Sequence, residues 1–444
     1  MITIYKKLLI QYTKYKGDIM DKVELKYGKE LVSIDVAGAK SVEILNEKPM
    51  NEIKDLKKAF IKGVTIDMIN SKPLKEVIDK DDEVTIVISD LTRLWQRQDL
   101  ICELLVDYLT DEIGVKCENI DVVVAVGTHR KQTEEELCTI TSKSVYDRVK
   151  VVNHDCDAKD LVYVGTTKSG TRVCVNPLVV DRKVIMITGT VHHLIAGFGG
   201  GRKSVVPGVA GRQTIRQNHI QSLSKTEKRS DPLVGARILN RNPINEDMNE
   251  AAKLVDVAFG INIVVNSSSK HSALICGDFH DAWLASCKYV DDAYGLQIKK
   301  EADIVIASCG GYPNDINLYQ STKTLFNATR AVKKGGTLII LAECSEGSGS
   351  PDFFNWIEPL KRGILDEELR ENFTIGGYVF YAACENIAKS NVMMLSSMDP
   401  NMVKDMKIKS YNNIEGLISK VDFKGKDVYV IPYGGNVVPL LEED

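Results

Sequence analysis

No stretch of this 444-residue sequence approaches eighteen uninterrupted apolar residues, so no segment reads as a membrane-spanning helix. Neither charge sign dominates. The 57 Lys and Arg stand against 61 Asp and Glu, a formal −4, which gives nucleic acid or an anionic membrane no general attraction. Cysteine is present ten times but never as a CxxC pair, which argues against both a disulfide scaffold and a zinc ribbon. Most of these thiols stand in apolar surroundings, as in Val173-Cys174-Val175 and Leu274-Ile275-Cys276, and read as core residues in a reducing cytosol. Internal repeats and low-complexity tracts are missing as well. What remains is a cytoplasmic globular protein whose important basic residues are few and placed.

The composition, 44% hydrophobic and 27% charged, is that of an ordinary soluble protein. The chain is too long for one comfortable core, so two domains are expected. From residue 80 the pattern is α/β. Val84–Ile88 is a continuous apolar run, as in a strand buried on both faces. Residues 98–113 then place Leu100, Ile101, Leu104, Leu105, Tyr108, Leu109 and Ile113 at helical spacing. A second buried strand, Ile120–Val126, precedes a helix opening near Thr133 with an acidic first turn. This strand–helix–strand unit implies a parallel sheet. A third buried strand, Val184–Thr188, runs into a glycine-rich loop.

A new α/β texture starts around 291–300. Ala302–Ala307 is a strand, Leu318–Val332 a helix closed by Lys333-Lys334-Gly335-Gly336, and Leu338–Leu341 the next strand. The expectation is two α/β domains with mainly parallel sheets, residues 20–290 and 291–422, with the active site in the cleft between them. The C-terminal segment 423–444, with its strand Val428–Ile431, is a candidate to return to the first domain.

Ligands of parallel sheets gather at the carboxyl ends of the strands. Here three strands end in polar motifs: Ser89-Asp90-Leu91-Thr92-Arg93, Gly127-Thr128-His129-Arg130, and the long stretch from Gly189 through His192, His193 and Gly199-Gly200-Gly201 to Arg202-Lys203. Three such tails from independent strands point to one shared site. The glycine loop is neither familiar phosphate motif. Arg202 intervenes where a Walker loop needs Gly before Lys, and it also occupies the last glycine position of a dinucleotide fingerprint. Consecutive glycines still let backbone N–H groups approach an anion closely. His219, in a helix over 212–223, is on a polar turn; His154 suits a rim or a structural turn; His271 and His280 read as surface residues. No histidine spacing matches a zinc site. Farther on, Gln320 and Lys323 share a helix face and would make a carboxylate clamp.

Together these motifs resemble the nickel-pincer nucleotide lactate racemase family: Asp90-x-Thr92-Arg93, Gly127-Thr128-His129-Arg130, His193 through Lys203 to Pro207-Gly208, His219, and Tyr319-Gln320-x-x-Lys323. The resemblance covers roughly residues 22–444. It implies a racemase or epimerase that inverts the hydroxyl-bearing carbon of a 2-hydroxy acid by proton-coupled hydride transfer to a nickel-pincer nucleotide. It further implies that Lys203 tethers the cofactor, that His219 is the protein ligand to nickel, and that His129 and His193 are the acid/base pair. Arg93 would contact the reacting oxygen. Tyr319, Gln320 and Lys323 would hold the substrate carboxylate, while Asp90, Thr92 and Gly199, Gly200 and Gly201 would position the cofactor and its phosphate. Cofactor-synthesis enzymes are the implied partners. One departure follows Arg93, where Leu94-Trp95-Gln96-Arg97 replaces the proline-containing sequence of lactate-specific members. It predicts an altered substrate wall and opens the range to an aryl-lactate, malate or a sugar acid. A nicotinamide-dependent dehydrogenase and a non-catalytic nucleotide-binding protein are the alternatives, the first disfavoured by the incomplete fingerprint.

Residues 1–19 carry no periodic pattern, and strand patterning starts only at Val23. A chain beginning at Met20 is therefore expected to melt at the same temperature as the full one, within a degree or two by the usual scaling of stability to melting point. A drop of several degrees would show that the segment packs.

Overall fold

Alternation of buried and exposed positions begins at Lys22, and there the first strand forms. β1 (Lys22–Tyr27) turns at Gly28 and pairs antiparallel with β2 (Glu30–Asp35), burying Val23, Leu25 and Ile34 on one face. Gly28 takes a φ of +53°, which glycine adopts without the penalty a side chain would incur. β3 (Ser41–Ile44) follows. The computed structural model describes residues 21–349 and 352–442; the N-terminal stretch read above as patternless lies outside the described residues.

The chain then enters a separate unit, Pro49–Ala293. It opens with the helices α1 (Leu56–Thr65) and α2 (Leu74–Val77). The strands of the central sheet are β4 (Val84–Ser89), β5 (Ile120–Ala125) and β6 (Lys150–Asn153), then, after a hairpin of β7 (Val162–Thr166) and β8 (Arg172–Val175), β9 (Lys183–Gly189). A short ribbon of β10 (His192–His193) and β11 (Gly197–Phe198) precedes β12 (Val257–Val265) and β13 (His271–Gly277). The sheet order is β13-β12-β9-β4-β5-β6, parallel throughout except at the β12–β13 pair. Its helices are α3 (Gln98–Asp107), α4 (Glu134–Thr141), α5 (Lys143–Tyr146), α6 (Arg212–His219), α7 (Pro243–Ala252) and α8 (Phe279–Tyr294). Thr133 caps α4 in a reciprocal box with Glu136. Ile86, Ile88, Val122, Val124, Ile185 and Ile187 pack with Phe60 and Leu105 in this unit's core, which is why those strands read as unbroken apolar runs.

From β4 the chain moves to β5 and β6 on one side and later to β9 and β12 on the other. The carboxyl ends of β4 and β9 therefore diverge at a topological switch point, where open α/β sheets bind their ligands.

The other unit is built from the residues up to Lys48 together with those from Tyr294 onward. Its sheet contains β15 (Ala302–Ser308), β16 (Val332–Leu341), β17 (Asn391–Leu395), β18 (Lys409–Tyr411) and β19 (Asp427–Ile431), while β14 (Gly295–Ile298) pairs with β20 (Val438–Leu441) separately. The order β18-β17-β16-β15-β19-β3 is parallel at every pair. α9 (Leu318–Ala328) follows β15, whose end is a switch point of the same kind.

This partition differs from the sequence reading in two respects. Residues 22–44 belong with the C-terminal half, and the last strands stay there instead of returning to the first domain. The cause is direct pairing of β19 with both β15 and β3. Lys333–Gly336 also opens β16 and does not close a helix; Lys333 is drawn to Asp303 of the neighbouring strand, with Nζ 2.8 Å from its carboxylate. Among the described residues no helix is long and apolar enough to cross a membrane.

Val23, Leu25, Ile34 and Val36 lie in one buried cluster with Ile304, Ile306 and Val430. Each such side chain contributes about 1.5–3 kcal/mol, so losing four removes most of the roughly 5–15 kcal/mol that stabilises a domain. A fragment 294–444 is expected to show no cooperative thermal transition, whereas 49–293 should show one. Cooperative melting of 294–444 on its own would contradict the shared core.

Candidate active site

β4 pairs with β5 through Ser89 but with β9 only as far as Val87. The open edge at Ser89 is closed by the buried side-chain amide of Gln98, which accepts from Ser89 N at 3.1 Å and donates to Ser89 O at 2.6 Å. The chain can then turn sharply at Asp90, which caps a short 3₁₀ turn over Leu91–Gln96. One Asp90 oxygen accepts from the amide and hydroxyl of Thr92, at 3.2 and 2.5 Å; the other lies 2.5 Å from Nδ1 of His129. Burial pushes the carboxyl up, but the hydrogen bonds from His129 and Thr92 and the charge of Arg93 outweigh it and hold Asp90 below the usual carboxylate range. Arg93 Nη1 donates to the Thr92 hydroxyl at 3.0 Å. Arg93, Thr92, Asp90 and His129 thus form one connected chain.

His129 reaches this position because Gly127, at a φ of +56°, bends the end of β5 against the Pro207-Gly208 turn and donates to Gly208 O at 3.0 Å. A Cβ on Gly127 would meet Pro207 O at 3.3 Å. The His129 side chain is 56% exposed. Arg130 turns away, forked onto Glu136 of the α4 cap.

The glycine stretch is organised from inside by Arg202. Its guanidinium is fully buried, donates to Ala196 O, Phe198 O and Gly200 O at 2.5, 2.9 and 3.4 Å and to Asn245 Oδ1 at 2.9 Å, and stacks 3.9 Å from the Trp283 ring centroid. No carboxylate is among these partners. Burial lowers its pKa, yet a guanidinium keeps its charge at neutral pH. The glycines serve this packing. A Cβ on Gly201 would lie 2.5 Å from Trp283, and the amides of Gly199 and Gly201 are committed to Val191 O and to the Thr188 hydroxyl. The expected cradle of free glycine amides around a phosphate is therefore not what these two residues provide.

Lys203 follows directly. Burial, then the charges of Arg202 and Arg93, bring its ammonium down to about 7, so a substantial neutral fraction is present at physiological pH. His193 Nδ1 accepts from the amides of Ile195 and Ala196 at 3.2 and 3.1 Å; burial and the positive charges of Lys203 and Arg93 push it well below the usual range. His219 is buried, not on a polar surface turn. Its Nδ1 donates to Ile215 O at 3.0 Å, leaving Nε2 as the acceptor, and burial with the Lys203 charge takes it to about 3. The group is electropositive, a setting for anions.

Of the residues singled out by sequence, this unit brings together Asp90, Thr92, Arg93, His129, His193, Lys203 and His219. Asp90 and Thr92 are hydrogen-bonded to His129 and Arg93. Leu94 and Trp95 are half-buried against the hydrophobic core, and Gln96 is buried against Gly189. His192 contacts Asp291, His154 is enclosed between Ala210 O and Asn176, and His271 is buried with Nε2 2.7 Å from Gln96 O; all three are structural. Tyr319, Gln320 and Lys323 lie on α9 of the other unit. There Asn317 caps the helix, Tyr319 packs edge-on to Phe353, and Lys323 Nζ donates to Gln320 Oε1 at 2.6 Å. Sequence reasoning missed Asn245, Trp283 and the role of Arg202. The one available signal was an arginine between glycines and lysine with no acid nearby.

Family profiles described as the lactate racemase N-terminal domain and the lactate racemase C-terminal domain match residues 27–231 and 297–438. A lactate racemase from Thermoanaerobacterium thermosaccharolyticum is 32% identical over 347 residues, 77% of this chain and 79% of that protein. A lactate racemase from Lactiplantibacillus plantarum is 28% identical over 381 residues, 83% of this chain and 88% of that one. The lactate racemase apoprotein structure from T. thermosaccharolyticum superposes with a TM-score of 0.83 at 28% identity, covering 94% of this chain and all of that one.

The lowered Lys203 gives a pH-dependent stability with a definite sign. Between about 7 and the unfolded lysine value, the unfolded chain holds a proton that the folded one does not, so stability rises with pH across that window. Lys203→Met should therefore raise the melting temperature of the apoprotein most at or below pH 7, with the gain shrinking toward pH 10. A gain that grows with pH would refute a depressed Lys203.

Proposed function

Because the chain belongs to the lactate racemase family, a family of isomerases, we propose that it racemises lactate or a similarly short 2-hydroxy acid with a nickel-pincer nucleotide. The observation that carries this reading is the gathering of His129, His193, Lys203 and His219 around one electropositive switch point. Gln96 is buried and Trp95 half-buried against the core, so neither residue argues for an acid bulkier than lactate.

The donor set fits the cofactor. Among the described residues no three His, Cys, Asp or Glu side chains group to hold a metal. A single imidazole, His219, offers Nε2 while its Nδ1 is anchored on a backbone carbonyl, the arrangement usual for a metal-bound histidine. One protein ligand suits a metal whose remaining donors come from an organic ligand. Lys203, neutral in part at pH 7, is suited to form the covalent tether, since only the neutral amine attacks an acyl group. When bound, the nickel-pincer nucleotide would supply a carbon that takes up and returns the substrate hydrogen as hydride.

The protein's own groups do the rest. Removing a hydrogen as a proton next to a carboxylate is difficult, and passage through a 2-keto acid avoids it. His129, buttressed by the ionised Asp90, takes or returns the hydroxyl proton on one face, and His193 serves the other. Arg93 steadies the oxygen as charge develops on it. Gln320 NH₂ and the Lys323 ammonium, beside Tyr319, hold the carboxylate. Loading requires partner enzymes that make the cofactor. A cytoplasmic location goes with this reading, since all ten cysteines are free.

Substrate deuterated at the inverting carbon is expected to keep its label through racemisation in ordinary water, because carbon-bound hydride does not exchange. Washout of the label in the first turnovers would exclude hydride return. Mass spectrometry of the loaded protein should also find the adduct on the peptide containing Lys203 and on no other.

A further inference from the structure

The two acid/base histidines have different neighbours at Nδ1, and those neighbours are of opposite kinds. His129 Nδ1 faces a carboxylate oxygen of Asp90, which can only accept; a hydrogen must lie on Nδ1, and neutral His129 then carries its lone pair on Nε2. His193 Nδ1 faces the N–H groups of Ile195 and Ala196, which can only donate; Nδ1 must be bare, and neutral His193 carries its hydrogen on Nε2.

Neither neighbour is free to turn. Asp90 is 4% exposed, and its second oxygen is fixed by Thr92. The Ile195–Ala196 peptide, whose N–H faces His193, is fixed through its carbonyl, since Ile195 O accepts from Asn242 Nδ2 at 2.8 Å. The next carbonyl, Ala196 O, accepts from Arg202. Asn242 is itself fully buried and caps α7 through Oδ1.

We infer that Asp90 and the Asn242-held turn at 195–196 are positioning elements that hold the two histidines in opposite tautomers, His129 presenting an acceptor at Nε2 and His193 a donor. This rests on the acid/base reading above for its functional meaning, but not for its geometry. A hydroxyl is then recognised by donating to His129, and a carbonyl oxygen by accepting from His193. The protein at rest distinguishes the reduced acid from the keto acid on its two sides. For His193 to accept a proton at Nε2 while neutral, its hydrogen must move to Nδ1, and both amide contacts must break; His129 has no such barrier.

The test is nitrogen-15 NMR of the full-length apoprotein with labelled histidine, where the two ring nitrogens report the tautomer directly. Among the seven histidines, the signals of these two are assigned by the single substitutions His129→Gln and His193→Gln. The expected result is an Nδ1–H pattern for His129 and an Nε2–H pattern for His193. In Asp90→Asn, the His129 pattern should become mixed while that of His193 stays unchanged, which also certifies that the variant is folded. If Asp90→Asn does not fold, Asn242→Asp keeps the cap oxygen of α7, removes the donor to Ile195 O, and should disturb His193 alone. The same tautomer at both rings, or an Asp90→Asn spectrum identical to the parent at His129, overturns the inference. In the loaded enzyme Asp90→Asn should lower kcat by on the order of a hundredfold, the low end of what a correctly held general base contributes, with KM changed far less. Opposed tautomers with an undiminished kcat would uphold the inference and remove His129 from the acid/base pair.

Discussion

The Arg202 guanidinium, enclosed by three carbonyls, one side-chain amide and an indole face, is the interaction on which the candidate site of the 49–293 unit depends. It draws the 196–200 backbone into a loop around itself, and His193 and Lys203 stand at the two ends of that loop. Removing it would leave carbonyls buried without donors, at about 1–3 kcal/mol each. The absence of a carboxylate among its partners matters as much as the bonds. The carbonyls satisfy the donors, but they do not cancel the charge. The remaining positive field depresses Lys203, reaches His193, and makes the surroundings favourable for anions. One side chain therefore sets both the shape of the loop and its electrostatics.

The topology explains where the other groups stand. β4, β5 and β9 are neighbours in the sheet order, and their carboxyl ends deliver Asp90 with Arg93, then His129, then the His193–Lys203 stretch. Parallel strands put these ends on one edge, and the change of direction at β4 keeps the edge open between β4 and β9. The Asp90–His129 contact is possible only because consecutive strands of the chain lie side by side there.

Much of this was legible in the sequence, and the limits of legibility have physical causes. Strands buried on both faces announce themselves as apolar runs, so β4, β5, β9 and β15 were found close to their observed bounds. The strand-end motifs of the 49–293 unit were legible as a group because parallel strands bring their carboxyl ends to one edge, where the structure gathers them. The order of the sheets was less accessible. Nothing in Ser41-Val42-Glu43-Ile44 says that its partner is β19, because edge pairing leaves only weak alternation. Lys333–Gly336 has the composition of a helix end, and tertiary pairing with Asp303 overrode it. His219 and His271 sit among polar residues in sequence, yet both are buried, since a histidine that finds a backbone carbonyl can be enclosed at little cost. Trp95 is half-buried against the core; which way a side chain on a tight turn points cannot be read from its neighbours. Arg202 was taken for a residue that spoiled two motifs, because its partners are backbone groups and carry no sequence signature.

The pairing of β3 with β19 joins Ser41 to Asp427 across 386 residues. On a ribosome adding about 5–20 residues per second, the first three strands emerge and then wait roughly 20–80 s before their sheet exists. During that interval the 49–293 unit has its whole sequence available and can reach its native fold. Synthesis thus produces a finished 49–293 unit trailing an unfinished hairpin whose apolar face, Val23, Leu25 and Ile34, has nothing yet to cover it. β19 completes the sheet that β3 began, so a message truncated shortly before Asp427 yields a protein that has His129 and His193 but an incomplete sheet beneath Gln320 and Lys323.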